Sequence, residues 1–279
     1  MIISIASGKG GTGKTTIAVN LAKSLGDNVQ LLDCDVEEPN AHIFMKPEIS
    51  QVEKVNMPIP EVDLSQCTFC GKCSEICQFN AIVVIKNNVL VFPELCHSCA
   101  GCWLICPEQC IAQKDRPIGE METGKTGTID FAHGRLSIGE VLAPPLIREV
   151  KKKSKNEKIT IIDAPPGTSC PVIEAVKGSN FVLLVTEPTP FGLNDLILAV
   201  EMVRILKIPF GVIINRADVG DKKVWEYCHK ENIPILLEIP NDRKIAEAYS
   251  IGKIIIDVYP EYIQKFQVLY KKIERRAAA

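Results

Sequence analysis

The chain has 279 residues, enough for one large α/β domain or one domain carrying a smaller insert. Hydrophobic residues make up 46% and charged residues 24%, and a formal net charge of −2 gives no electrostatic case for nucleic acid. No apolar run reaches the roughly 18 residues that span a bilayer, and the opening MIISIASGKGG lacks a basic flank, so a cytoplasmic protein without a membrane partner is expected.

The first predicted strand, IISIAS (2–7), runs into SGKGGTGKTT and a helix over 14–25. VQLLD (29–33) is the next strand, followed by LLDCDVEEPN. Further on come ITIID (159–163), FVLLVT (181–186), FGVIIN (210–215) and ILLEIP (235–240), short continuous apolar runs of the kind buried on both faces. Helical spacing follows at 193–206, 221–231, 241–249 and 261–275. This alternation predicts an α/β fold with a doubly wound, mostly parallel sheet. The basic run KKKSKNEK (151–158) reads as the solvated end of a helix rather than a polyanion site. The apolar spacing within 262–273 reads as a terminal helix docked on the sheet rather than a membrane anchor.

Between about 56 and 118 the alternation stops. The flanks, NMPIPEV and KDRPIGEMETG, look loop-like because of their prolines. The segment between them repeats itself at an offset of 29 residues, laying CTFCGKCSEICQFNAI over CHSCAGCWLICPEQCI. A hairpin, IVVIKNNVLVF, turning at Asn87-Asn88, joins the halves. The expected division is therefore a first segment of the large α/β domain over 1–56, an inserted small α+β domain over 57–118, and a second segment of the large domain over 119–279.

Gly8, Gly13, Lys14 and Thr15 fit the G-x4-G-K-[ST] phosphate loop, in the strand-to-helix context it requires. Such a loop turns backbone N–H groups onto phosphates and adds the positive end of a helix. The expected nucleotide contacts are Gly8, Gly10, Gly11, Thr12, Gly13, Lys14, Thr15 and Thr16, with Lys14 on the β- and γ-phosphates and Thr15 on Mg²⁺. With its second lysine, KGGTGKT resembles the deviant Walker A motif of the MinD/Mrp class of P-loop ATPases, which includes the nitrogenase iron protein and ParA. That resemblance implies an ATP-dependent sandwich dimer, of identical chains or of two related ATPases, in which Lys9 reaches the partner's nucleotide. It also implies that Asp33 orders the Mg²⁺ shell and Asp35 positions the attacking water. In IIDAPPGT it places Asp163 near Mg²⁺ and Gly167 near the γ-phosphate. Asn215 and the IPND segment, with Pro240 and Asp242, resemble adenine-contacting positions. For the carboxylates a plainer role stays open, that of capping the next helix.

Twelve cysteines in a chain with a full-sized core suggest metal ligation in a reducing compartment rather than a disulfide scaffold. Eight fall in two C-x2-C-x2-C-x3-C runs, which resemble a bacterial-type ferredoxin with two [4Fe–4S] clusters. That pattern implies one cluster on Cys67, Cys70, Cys73 and Cys106, and another on Cys96, Cys99, Cys102 and Cys77. Zinc would use two pairs rather than two quartets. The proline usual after the fourth cysteine is present as Pro107 and replaced by Gln78 in the first run. Cys110 lies over Ala81 in the repeat and reads as a core filler, Cys34 and Cys228 as small hydrophobes. For Cys170 two readings stand, a structural thiol and a transient ligand at a dimer interface.

The favoured function is an ATP-hydrolysing carrier of electrons to or from a partner protein, with ATP, Mg²⁺ and two [4Fe–4S] clusters as cofactors. A Mrp-like carrier of iron–sulfur clusters is the first alternative, and a MinD/ParA-like positioning ATPase with structural clusters the second.

Overall fold

In the computed structural model, which describes residues 1–278, β1 (Ile2–Ser7), α1 (Lys14–Leu25) and β2 (Val29–Asp33) form where the sequence places them. A short α2 (Ala41–Met45) leads into β3 (Glu48–Val62). An inserted region follows, made of α3 (Lys72–Ile76), the two-stranded hairpin β4 (Ile82–Ile85) and β5 (Asn88–Val91), and α4 (Gly101–Ile105). The chain returns through β6 (Ile111–Thr126) and turns into β7 (Ile129–Leu136). Then come α5 (Ala143–Lys152), β8 (Ile159–Pro166), α6 (Cys170–Val176), β9 (Phe181–Thr186) and α7 (Pro190–Ile205). β10 (Phe210–Asn215), α8 (Lys223–Lys230), β11 (Ile235–Ile239), α9 (Arg243–Ser250), α10 (Ile255–Val258) and α11 (Tyr262–Ala277) complete the fold.

Nine strands form one sheet in the order β11-β10-β9-β1-β8-β2-β7-β6-β3. Neighbours from β11 to β7 are parallel, while β6 and β3 are antiparallel additions at one edge. Helices α5 to α8 bury one face, through residues such as Leu146, Val172, Val200 and Val224. Helices α1, α2 and α11 bury the other, α11 through Tyr262, Phe266, Leu269 and Ile273 as expected of a docked terminal helix. Each such fully buried side chain contributes about 1.5–3 kcal/mol. Among the described residues no helix is long and apolar enough to cross a membrane.

Three expectations need correction. NMPIPEV and KDRPIGEMETG are strand, paired from Glu48↔Lys125 to Val62↔Ile111, so the expected boundaries at 56/57 and 118/119 fall inside a continuous ribbon. The prolines misled because they sit where a ladder tolerates them. Pro58 and Pro60, two apart on the edge strand β3, share one orientation, and Pro117 lies beyond Gly119, where β7 has stopped pairing with β6. The hairpin turns at Lys86-Asn87, since Asn88 already pairs with Ile85. The strand β7 was not anticipated because its buried positions include Asp130 and His133, which interrupt an apolar run. Asp130 is neutralised by Lys155 at 2.6 Å and Lys158 at 2.9 Å, so part of the basic run 151–158 fastens β7 rather than facing only solvent.

Candidate functional site

The phosphate loop leaves β1 and enters α1 at Gly13, whose φ of 95° only glycine adopts without strain. No side chain caps this helix start, so its first N–H groups are free to meet an anion. Gly8 is required for a different reason: a Cβ there would lie 2.1 Å from the Asp195 carbonyl oxygen on α7. Lys14 and Thr15 are buried at the foot of a cavity of about 380 Å³, at the carboxyl ends of the parallel strands. Ligands of open α/β sheets characteristically bind in that position. Of the expected nucleotide residues, Gly10, Gly11, Gly13, Lys14, Thr15, Thr16, Asp35, Asn215, Pro240 and Asp242 line it. Gly8, Thr12, Gly167, Asp33 and Asp163 are not in its lining.

Lys9 is not in that lining either. Its ammonium lies 3.8 Å from a Glu187 carboxylate oxygen, and Arg216 reaches the other oxygen at 3.1 Å. Lys9, within the loop, is thus engaged by Glu187 of its own chain, while Arg216 on the same carboxylate lines the cavity. Sequence reasoning missed Glu187 and Arg216, which follow β9 and β10 without a motif to mark them. It also missed Tyr249 and Ile255, which wall the cavity from α9 and α10.

The carboxylates divide by what they touch. Asp33 is fully buried and accepts from the backbone N–H groups of Asp35, Asn40 and Ala41 at 3.1, 3.1 and 2.9 Å. It thus fixes the 33–40 loop and the start of α2, the capping role left open by the sequence. Burial, with the neighbouring Asp163 charge, raises its pKa well above the usual carboxylate value. Asp242 likewise caps α9 through Lys244 N–H at 2.7 Å and accepts from the Tyr259 hydroxyl at 2.7 Å. Asn215 donates to the Thr12 carbonyl at 2.9 Å, tying the phosphate loop to β10. Asp35 lines the cavity, and burial pushes its pKa up to about 6 against the pull of Lys14.

Asp163 differs from these. Both of its oxygens are buried and lack a hydrogen-bond partner of ordinary geometry, although Thr15 and Lys14 lie near enough to favour the ionised form. Burial outweighs them and pushes its pKa up to about 7. A buried carboxylate without a protein partner, beside a phosphate loop, suits a hydrated cation; Mg²⁺ takes one or two carboxylates and keeps waters and phosphate oxygens for the rest. The raised value fixes a sign. The folded chain holds this proton more tightly than the unfolded one, so without nucleotide or metal the ionisation costs stability as pH rises from 3.8 through about 7. Asp163→Asn should then match wild type in stability at about pH 3, already exceed it at about pH 5, and exceed it by on the order of 2–4 kcal/mol at about pH 8. Denaturant unfolding checks this; a gap that stays constant with pH contradicts it.

The eight clustered thiols sort into two small cavities at the end of the β3–β6 ribbon. An outer one, next to the terminal pair Val62 and Ile111, is lined by Cys67, Cys70, Cys73 and Cys106. An inner one, next to Pro60, is lined by Cys77, Cys96, Cys99 and Cys102. Each combines three thiols of one run with the fourth of the other. The internal repeat is visible in the backbone: Phe69 and Ser98 both sit at φ 53°. Each donates its N–H to the sulfur two residues earlier, Cys67 or Cys96, at 3.4 Å. The helices α3 and α4 are the matching pair.

Among the described residues no three His, Cys, Asp or Glu side chains form a ligand set for a single metal ion. Tetrahedral zinc needs four donors about 2.0–2.3 Å from one point, whereas each thiolate of a [4Fe–4S] group binds its own iron, so the donor set fits a cluster better. Cys110 is buried as expected, but it also lines the outer cavity as a fifth thiol, its sulfur 3.6 Å from that of Cys106. Cys34 and Cys228 are fully buried, and Cys170 is exposed at the start of α6.

This fold and this phosphate loop define a P-loop nucleotide-binding protein. A family profile, the CobQ/CobB/MinD/ParA nucleotide-binding domain, matches residues 3–255, and the chain belongs to that family. It is 31% identical over 258 residues to an uncharacterized protein of Methanocaldococcus jannaschii, covering 91% of this chain and 90% of that one. An iron-sulfur cluster carrier protein of Pyrococcus abyssi is 26% identical over 274 residues, covering 91% of this chain and 78% of that one. In fold it is similar to the septum site-determining protein MinD of Pyrococcus horikoshii complexed with Mg-ADP. That likeness has a TM-score of 0.59 at 21% identity and covers 98% of this chain and 95% of that one.

Proposed function

We propose that the chain is an ATP-hydrolysing iron–sulfur protein in which nucleotide state governs electron transfer to or from a partner protein. The observation that carries this reading is the sorting of the eight thiols of the two runs, four to each of two cavities, on a ribbon continuous with the main sheet, with Cys110 an additional thiol at the outer one. Family membership supports the ATPase half. When bound, two [4Fe–4S] groups would each supply a one-electron couple. The thiols hold them, with Cys67, Cys70, Cys73 and Cys106 outside and Cys77, Cys96, Cys99 and Cys102 inside. The inserted region, residues 63–110, is on this reading a ferredoxin-like domain.

At the other site, loop N–H groups and Lys14 hold the phosphates, and Thr15 and Asp163 hold Mg²⁺. Asp35 orients the attacking water, and Asn215, Pro240 and Asp242 border the base. Positioning and charge neutralisation of this kind account for most phosphoryl-transfer catalysis. Lys9, held by Glu187 within its own chain, is available to a second copy or a related ATPase.

A second reading, delivery of iron–sulfur clusters, draws on the name of the Pyrococcus abyssi relative and on exposed Cys170. Four run thiols at each cavity count against it, because a fully coordinated group is poor cargo. Incubating the loaded protein with an apo-ferredoxin separates the two. Electron carriage predicts that iron stays on the chain over minutes and that ATP does not hasten its loss. Rapid ATP-stimulated transfer would favour the carrier.

A further inference from the structure

The internal repeat supplies its own control for Cys110. Residues 77–81 and 106–110 follow the same path, with Asn80 at φ 51° and Gln109 at φ 52°. Asn80 N–H donates to the Cys77 carbonyl at 3.4 Å, and Gln109 N–H to the Cys106 carbonyl at 3.3 Å. The carbonyls of Ala81 and Cys110 accept from the N–H groups of Phe92 and Asp63, both at 2.8 Å. Asp63 and Phe92 are themselves 29 residues apart, so the two halves hold positions 81 and 110 by equivalent bonds. Ala81 lines the inner cavity and Cys110 the outer one. What differs is the side chain, a methyl in one half and a thiol in the other.

That thiol lies against a ligand of the outer site. The Cys110 sulfur is 3.6 Å from the Cys106 sulfur, within reach of an S–H···S hydrogen bond. Either sulfur can donate while both carry protons. A thiolate that binds iron can only accept, which leaves Cys110 as the donor. Cys110 is only 5% exposed, so little water reaches it to compete for that bond.

We propose that Cys110 is a positioning residue of the outer site, donating its S–H to the iron-bound sulfur of Cys106 and raising the reduction potential of that site alone. This rests on the reading that both cavities hold [4Fe–4S] groups. A donor beside a ligand sulfur favours the reduced form, which carries one more negative charge, and hydrogen bonds to the sulfurs help to set such potentials. Cys110 itself ligates no iron and transfers neither an electron nor a proton.

The test is an EPR-monitored redox titration of anaerobically reconstituted full-length protein, comparing wild type with Cys110→Ala and Cys110→Ser. All three should load about eight irons per chain. In Cys110→Ala one couple should fall, its reduction equilibrium constant dropping at least about threefold, or about 28 mV for one electron, while the other holds. Cys110→Ser, which keeps a donor, should restore most of that shift. The couple that moves should be the one that survives in Cys77→Ala, a variant that disturbs the inner site. Movement of the other couple, equal movement of both, no movement, or equal falls in the alanine and serine variants overturns the proposal. So does loss of iron from the outer site in Cys110→Ala, which would make the thiol a ligand or a packing group. Wild type that binds no iron overturns the reading beneath it, a result distinguishable from all of these.

Discussion

Replacing Lys14 with alanine should lower ATP turnover by at least about 100- to 1,000-fold, the cost typical of removing one preorganised charge-stabilising group. Lys14 is buried in the cavity lining, and the N-terminal turn of α1 offers no other cation. Lys9→Ala should behave differently. Lys9 is absent from the lining of its own cavity and lies against Glu187, so binding of Mg-ADP to a single chain should change little. Turnover should still fall, and with it the ATP-dependent association that brings two chains together. Steady-state hydrolysis, ADP titration and sedimentation measure the three quantities. Unchanged hydrolysis in both variants would defeat the assignment of roles around the phosphate loop.

The second large effect concerns iron. Anaerobic reconstitution should load about eight irons per chain, four to each quartet of thiols. Because Cys106 lines the outer cavity while belonging to the second run, Cys106→Ala should disturb the site formed by the first run. Cys77→Ala should disturb the site formed by the second. Each variant should lose the [4Fe–4S] signal of one site and keep the other. Ligation within each run predicts the opposite assignment, which Mössbauer or EPR spectra of the two variants would reveal. Zinc bound in place of iron would overturn the ligand assignment altogether.

The catalytic half was the more legible in sequence. Parallel strands buried on both faces must be continuously apolar, and β1, β2 and β9 announce themselves that way. The phosphate loop is legible because turn, charge and helix start occupy adjacent residues. What escaped notice depends on neighbours distant in the chain. Asp130 in β7 is tolerable inside only because lysines from 155 and 158 reach it. Prolines 58, 60 and 117 read as breakers, since nothing local says that β3 is an edge or that β7 ends early. Glu187 lies 178 residues from the Lys9 it holds, a separation no local motif spans. The thiol runs were legible as spacing, and their interleaving into two cavities follows from folding the repeat on itself.

The ribbon gives the two sites a shared mechanical setting. Val36, in the loop fixed by Asp33, accepts from Leu136 N–H at 2.8 Å, and the next residue, Ser137, donates to the Ile118 carbonyl at 2.9 Å. Ile118 lies two residues from Arg116, whose partner Glu140 belongs to the same 137–142 connection. Ala164, beside Asp163, shares a continuous apolar core with Met57, Ile59 and Cys96. A contiguous path is only the opportunity for coupling, and a measured free energy establishes it. Couplings of about 1–3 kcal/mol are typical, and about 1.4 kcal/mol corresponds to about 59 mV for one electron.

The direct measurement is the pair of midpoint potentials of fully loaded protein, without nucleotide and with a non-hydrolysable ATP analogue and Mg²⁺. A displacement of at least one couple by tens of millivolts, absent in Lys14→Ala, is the result this account predicts. Potentials that are the same in both states, with the analogue shown to be bound, would contradict it.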